Sequence, residues 1–245
     1  MFSLSVSSTA WVIIGVIIIL AAALWTWRRF LRRCEAECEV DWGSVWLNRF
    51  DGLNRLFCRR FHRLRYEPLQ LPHHGGAVVV ANHVSGLDPL LLMAASRRPL
   101  RFLIAREQYR RRWLTWLFAA GGCIPVDREE RPERAFREAL EALRRGEVIA
   151  LFPHGTIHLD SDPPRRIKSG AIRLAVLSGS PIFPLRLEGI RGQGHTILSV
   201  IMRSRARIHS FPPIECDKAA LARCADHISD ILEGRAKITH ATLSS

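Results

Sequence analysis

The sequence predicts an α/β protein: a mostly parallel sheet flanked by helices, preceded by an N-terminal transmembrane helix and amphipathic membrane-docking helices. Three observations predict it. From about residue 67, short apolar runs alternate with helical windows, the pattern of successive βαβ units. Residues 10–27, AWVIIGVIIILAAALWTW, contain no charge. Residues 42–65 set Trp46, Phe50, Leu53, Phe57, Phe61 and Leu64 three or four apart, which is one stripe on a helix.

The charge-free run clears the lower limit for a bilayer crossing, about 17 residues. Trp11, Trp25 and Trp27 stand at its ends, where indole rings favour the membrane interface. No basic residue precedes it, whereas Arg28, Arg29, Arg32 and Arg33 follow directly. That order is the reverse of a cleaved signal peptide. It places the N-terminus outside and all that follows Arg28 in the cytoplasm, as a single-pass protein of the inner (cytoplasmic) membrane. Residues 1–34 are thus read as the anchor with its basic flank.

Residues 35–66 form the docking element, with Asp51-Gly52 marking a break into two helices. The aromatic stripe suits a bilayer surface or the domain core, and the two uses are compatible. Arg49, Arg55, Arg59, Arg60, Arg63 and Arg65 lie mostly off the stripe, where anionic headgroups would meet them. Residues 67–233 form the α/β domain. Its strands are expected at 77–82, 101–105, 123–126, 148–152, 182–188 and 196–201, and its helices at 89–96, 108–119, 132–145 and 169–178. Gly146 and Gly179 sit where helices should stop. Residues 234–245 read as a polar tail.

At 245 residues the chain can build one sizeable core, and at 48% hydrophobic and 24% charged it is globular in type. Its formal charge is +13, almost all from arginine, since only Lys168, Lys218 and Lys237 are lysines. Such a balance favours anionic partners. With no nucleic-acid recognition module in the chain, the anchor and the aromatic stripe assign that charge to lipid and not to nucleic acid. The six cysteines, at 34, 38, 58, 123, 216 and 224, show neither C-x-x-C nor zinc-finger spacing and are read as reduced.

The run VVVANHVSGLDPLL, residues 78–91, ends a buried strand in Asn82-His83 and follows it with Asp88. Ligands of open α/β sheets bind at strand exits. A histidine there whose Nδ1 faces a carboxylate is an oriented general base. Five helical residues rotate about 500°, so His83 and Asp88 meet only if Ser85-Gly86 turns the chain back. The same residues also fit a plain strand exit, with Asp88 capping a helix that Pro89 begins. No G-x-S-x-G elbow is present, so such a base would act on a substrate hydroxyl.

Four blocks occur in order: NHVSGLD (82–88), GCIPVDR (122–128), FPHGT (152–156) with IKSG (167–170), and SPIFPL (180–185). By these blocks the chain resembles the glycerolipid acyltransferases, closest to bacterial 1-acyl-glycerol-3-phosphate O-acyltransferases, over roughly residues 66–215. The resemblance implies that His83 is the catalytic base and Asp88 orients it. It implies that Arg128 and Lys168 bind the acceptor's phosphate, and that His154, Gly155 and Thr156 of the third block belong to substrate binding. It further implies an acyl-CoA or acyl carrier protein co-substrate, a lysophospholipid acceptor, membrane lipids as partners, and neither cofactor nor metal.

The third block departs from the family's F-P-E-G-T-R, with His154 for the Glu and Ile157 for the Arg. The acceptor is therefore 1-acyl-glycerol-3-phosphate or a different lysolipid, such as a lyso-ornithine type. A non-catalytic membrane-binding scaffold of the same fold is the alternative of another class. His154 and His158 stand four apart with Asp160 and Asp162 beyond, but Gly, Asp and Pro make the segment a loop, so helical ligand spacing is not assured.

Overall fold

The computed structural model describes residues 8–110, 115–127, 132–163 and 165–236. Helix α1 (Ser8–Glu37) is continuous and, at 1.5 Å per residue, about 45 Å long. From Ala10 onward it is long and apolar enough to cross a bilayer. Trp11, Ile13, Ile17, Leu20, Trp25 and Trp27 are all exposed on it, so nothing among the described residues covers its apolar surface.

The expected break at Asp51-Gly52 is absent: α2 (Val45–Arg60) is one helix. Gly52 marks instead the place where α2 crosses α1, because a Cβ there would collide with the Cys34 carbonyl oxygen. The buried face of α2 is its polar one. Arg55 is 0% exposed and Asp51 1% exposed, and Arg55 Nε donates to Asp51 Oδ2 at 2.6 Å. Its other nitrogens donate to the Ala94 and Ser96 carbonyls at 3.1 and 2.6 Å. Arg55 is therefore not a headgroup contact, and Arg59 pairs with Glu37 and Glu39. Trp46 and Leu53 of the stripe remain exposed, while Leu64 is buried in the core.

The carbonyls that Arg55 reaches close α3 (Asp88–Ala95), so a cation sits at that helix's negative end. Beyond α2 the remaining elements follow in order. They are β1 (Arg65–Tyr66), β2 (Ala77–Ala81), β3 (Leu100–Ala105), α4 (Arg106–Tyr109), α5 (Thr115–Ala120), β4 (Ile124–Val126), α6 (Pro132–Arg144), β5 (Val148–Leu151), α7 (Gly170–Ser178), β6 (Ile182–Glu188), α8 (Leu198–Ile201), β7 (Arg207–Ser210) and α9 (Leu221–Leu232). The strands form one sheet in the order β1-β7-β6-β2-β5-β3-β4. Every pairing is parallel except β6 with β7.

Strand β2 is buried at all five positions, as a parallel central strand covered on both faces must be. Ala77, Val79 and Ala81 pack with Cys58, Leu87, Leu91 and Leu92 from the α2–α3 side. Val78 and Val80 pack with Ala139, Leu143, Ile172, Leu174 and Ile228 from α6, α7 and α9. These are the two helical layers around the sheet.

Three sequence expectations are corrected. Residues 196–201 are not a strand: their core is α8, with Ile197 and Ile201 exposed and Ser199 Oγ bonded to the His195 carbonyl at 2.9 Å. The last strand is β7, which turns back antiparallel on β6 with Leu185 opposite Ser210. The single helix expected at 108–119 is replaced by α4 and α5, between which residues 111–114 lie outside the described residues. The cysteines are not all reduced, since Cys216 and Cys224 are joined as a disulfide with Cα atoms 6.1 Å apart. A turn in which Asp217 Oδ1 accepts from the Ala220 N–H brings residue 216 back onto α9.

Buried His62 follows α2, its ring edge-on to Phe57 and Phe61 and its Nε2 3.1 Å from the Val200 carbonyl. Burial holds its pKa below the usual 6.5, against the opposing effect of that carbonyl. The unfolded chain therefore takes up a proton as pH falls below 6.5, before the folded one does. This share of stability is full above pH 6.5 and is lost as pH drops toward the lowered value. The Tm of the wild type should thus fall more between pH 7.5 and 5.5 than that of His62→Gln. Parallel pH profiles would contradict it.

Candidate active site

Strand β2 pairs with β5 through Val80 opposite Leu151. His83 lies three residues beyond Val80, and His154 three beyond Leu151, so NHVSGLD and FPHGT leave adjacent strands at one level. Strands β2 and β5 are neighbours, and the chain leaves β2 through α3 on one face of the sheet and β5 through α7 on the other; such a switch point is where open α/β sheets form their ligand crevice.

The turn expected of Ser85-Gly86 is present. His83 Nδ1 stands 2.8 Å from Asp88 Oδ2. Asp88 is 0% exposed, and its carboxylate also accepts from the Val84 N–H at 2.7 Å, the Ser85 N–H at 2.9 Å and the Ser85 hydroxyl at 2.6 Å. These donors precede the helix, and Asp88 makes no capping bond to α3, so that part of the sequence reading is corrected. A carboxylate can only accept, so the imidazole proton lies on Nδ1 and Nε2 carries the lone pair.

The ring is held by more than its acid. Phe152 stacks on it at 4.2 Å between centroids, inclined 16°. Asn82, the residue before it, donates to the Leu187 carbonyl at 3.0 Å and accepts from the Leu187 N–H at 2.7 Å, tying the strand exit to β6. The backbone N–H of His158 donates to the His83 carbonyl at 2.7 Å. Gly86 lets the 192–196 loop close over the turn, since a Cβ there would meet the Thr196 backbone.

Of the remaining candidates, Lys168 joins the site. Its N–H donates to the Pro153 carbonyl at 3.0 Å, and its ammonium lies across Gly155, 2.9 Å from where a Cβ would stand. Thr156 is exposed, with its hydroxyl 3.3 Å from Arg165 Nη1. His154 is 2% exposed and stacks on His158 at 4.6 Å between centroids. Burial, then the neighbouring charges of His158, Arg165 and His83, hold its pKa below the ordinary value, so at neutral pH it is an uncharged imidazole. Arg128 lies outside the described residues.

Sequence reasoning did not find Phe152 or Ser85 as parts of the site. Phe152 opens the third block, and its place one residue beyond β5 is the signal that would have found it. A base oriented in this way, beside a strand-exit loop carrying an ammonium, can deprotonate a hydroxyl on an anionic molecule.

The Acyltransferase family matches residues 63–188. Two curated bacterial relatives are similar to the chain. One, from Mycoplasma pneumoniae, is named a probable 1-acyl-sn-glycerol-3-phosphate acyltransferase; it is 34% identical over 47% of this chain and 45% of its own length. Another, from Bacillus subtilis, is named a 1-acyl-sn-glycerol-3-phosphate acyltransferase; it is 25% identical over 51% of this chain and 61% of its own length. The chain spans about half the length of the curated relatives it matches. The crystal structure of PlsC from Thermotoga maritima, titled a 1-acyl-sn-glycerophosphate acyltransferase, shares the fold with a TM-score of 0.58. It is 19% identical and covers 96% of this chain and 95% of its own.

Proposed function

The chain belongs to the Acyltransferase family, and on that premise we propose that it moves a fatty acyl group from an acyl-CoA or acyl carrier protein thioester to a lysophospholipid hydroxyl. The leading acceptor is 1-acyl-glycerol-3-phosphate, which would give phosphatidic acid. The observation that carries this reading is the His83–Asp88 contact of 2.8 Å, which leaves Nε2 as an oriented base.

The step needs no enzyme nucleophile. Nε2 of His83 takes the acceptor's hydroxyl proton as that oxygen bonds to the thioester carbonyl carbon. The tetrahedral intermediate then collapses, the carbon–sulfur bond breaks, and the leaving thiolate takes the proton back from the imidazolium. Asp88 stabilises the imidazolium and fixes the ring, and its bonds to Val84 and Ser85 keep the carboxylate from turning away. Lys168, with Arg128, supplies the counter-charge for the acceptor's phosphate. The reaction calls for no cofactor.

The membrane supplies the acceptor. Helix α1 would cross the bilayer with the α/β domain on the cytoplasmic side, because Arg28, Arg29, Arg32 and Arg33 follow its apolar run. Exposed Trp46 and Leu53 on α2, and Ile197, Leu198 and Ile201 around α8, would meet the leaflet. The contact of His62 with the Val200 carbonyl links these two apolar surfaces.

A different lysolipid acceptor is the second reading, favoured by the uncharged, buried His154 where the family pattern has a carboxylate. A panel of lysolipids, assayed by thiol release from the donor, separates the two. The first reading expects 1-acyl-glycerol-3-phosphate to lead, and a preference for a phosphate-free lysolipid would replace it with the second. Gly86→Val should lower the rate with any acceptor by about 10²-fold, since displacing the 192–196 loop shifts the base's turn by about an ångström. An unchanged rate in folded protein would contradict that.

A further inference from the structure

Beside the proposed catalytic base, on the side facing α9, lies a cavity of about 200 Å³ lined by Asn82, His154, His158, Asp162, Glu233 and Arg235, among others. The proposed reaction makes no use of it. His154 is 2% exposed, yet neither of its ring nitrogens has a hydrogen-bond partner among the described residues. The Arg165 backbone approaches without reaching hydrogen-bond geometry. A buried polar atom left so loses its hydration with nothing in return, and such an atom in a native fold calls for an explanation.

His158 and Glu233 provide one. A ring nitrogen of His154, one of His158 and a carboxylate oxygen of Glu233 all lie within 4.8 Å of one another. Around a tetrahedral zinc ion, ligand atoms each about 2.0–2.2 Å from it stand about 3.3–3.6 Å apart, so side-chain rotation that closes the widest of these separations by up to about 1.5 Å would complete the set. His158 Nδ1 lies 3.7 Å from Asp162 Oδ2, and the Leu159 N–H donates to that same oxygen at 2.8 Å. A carboxylate behind an imidazole orients a metal-ligating ring and leaves Nε2 for the ion, a place Asp162 would take by closing from 3.7 Å to hydrogen-bond distance. Glu233 now pairs with Arg235, but Arg235 also reaches Asp230 at 2.8 Å and would keep that partner if Glu233 turned to a metal.

We propose that His154, His158 and Glu233 form a site for a divalent transition-metal ion of the zinc class, with water in the fourth position. Two imidazoles and one carboxylate suit zinc and are too rich in nitrogen for magnesium or calcium. The ion's role is structural. It ties the loop after β5, whose His158 N–H holds the His83 carbonyl, to the residue that ends α9. The Arg186 side chain already joins the same two regions, bonding Asp160 and the Leu232 carbonyl. The ion itself takes no step in the proposed acyl transfer.

The test uses the untagged full chain in detergent, stripped of metal and titrated with Co²⁺ and then Zn²⁺. One Co²⁺ per chain with the intense visible bands of a tetrahedral site, displaced by Zn²⁺, is expected. Zn²⁺ should also raise the Tm. His158→Gln and Glu233→Gln should each weaken binding by more than about tenfold, the scale on which even orienting residues around metal ligands act. Replacing the exposed pair His73 and His74 by Asn should leave binding unchanged. No stoichiometric binding to the wild type would overturn the proposal. So would equal affinity in a His158→Gln protein whose metal-free Tm matches the wild type, or loss of binding on replacing His73 and His74.

Discussion

Replacing His83 with alanine should lower lysolipid-dependent thioester cleavage by about 10²–10⁴-fold, the range that a positioned general base contributes. Membrane association should survive, because the anchor and the exposed stripe of α2 lie elsewhere in the chain. The loss should fall on the maximal rate more than on the acceptor's KM, since the imidazole acts on the proton in flight and not on the headgroup. Asp88→Asn should also be severe. An amide in place of the carboxylate no longer enforces the tautomer with its proton on Nδ1, and it cannot stabilise the imidazolium. It would also lose acceptors for the Val84 and Ser85 donors, so its unfolding should be measured alongside its rate. Full activity in His83→Ala would remove the residue from the chemistry.

The largest effect on stability is expected at Arg55. Alanine there should cost about 3–5 kcal/mol, measured by denaturant unfolding in detergent, because it leaves the Asp51 carboxylate buried without its partner. The carbonyls of Ala94 and Ser96 at the end of α3 would lose their donor as well. Changing Asp51 and Arg55 together to leucine and methionine should cost much less, since no isolated charge is then buried. This contrast separates a pairing effect from simple loss of volume. A cost below about 1 kcal/mol for the single change would show that water reaches the pair.

Much of the fold was legible because parallel strands buried on both faces leave continuous apolar runs, and VVVA at 78–81 is such a run. The pair at the proposed site was singled out by the four ordered blocks, since its spacing alone also fitted a plain strand exit followed by a capped helix. What failed depends on contacts between distant residues. The aromatic stripe of α2 suited either the bilayer or the core, and the arginines off it were assigned to headgroups, yet the helix turns Asp51 and Arg55 inward, because the end of α3 presents carbonyls that need donors. Nothing within residues 42–65 records that. Residues 196–201 are apolar and short, a pattern that strand and helix share, and only the antiparallel return of β7 decides between them. The Glu233 carboxylate stands near His154 and His158 only because α9 packs back on the sheet, so the sequence offered two histidines in a loop with Asp160 and Asp162 beyond, and not Glu233.

Acyl transfer itself is tested most directly by mass analysis of the lipid product. The purified full-length chain would be incubated with 1-acyl-glycerol-3-phosphate and, in separate reactions, acyl-CoA and acyl carrier protein thioester. Phosphatidic acid should form in step with free thiol from at least one donor, and both should vanish without the lysolipid or in His83→Ala. Thiol release that ignores the lysolipid and yields free fatty acid would contradict it, making the His83–Asp88 pair part of a hydrolase.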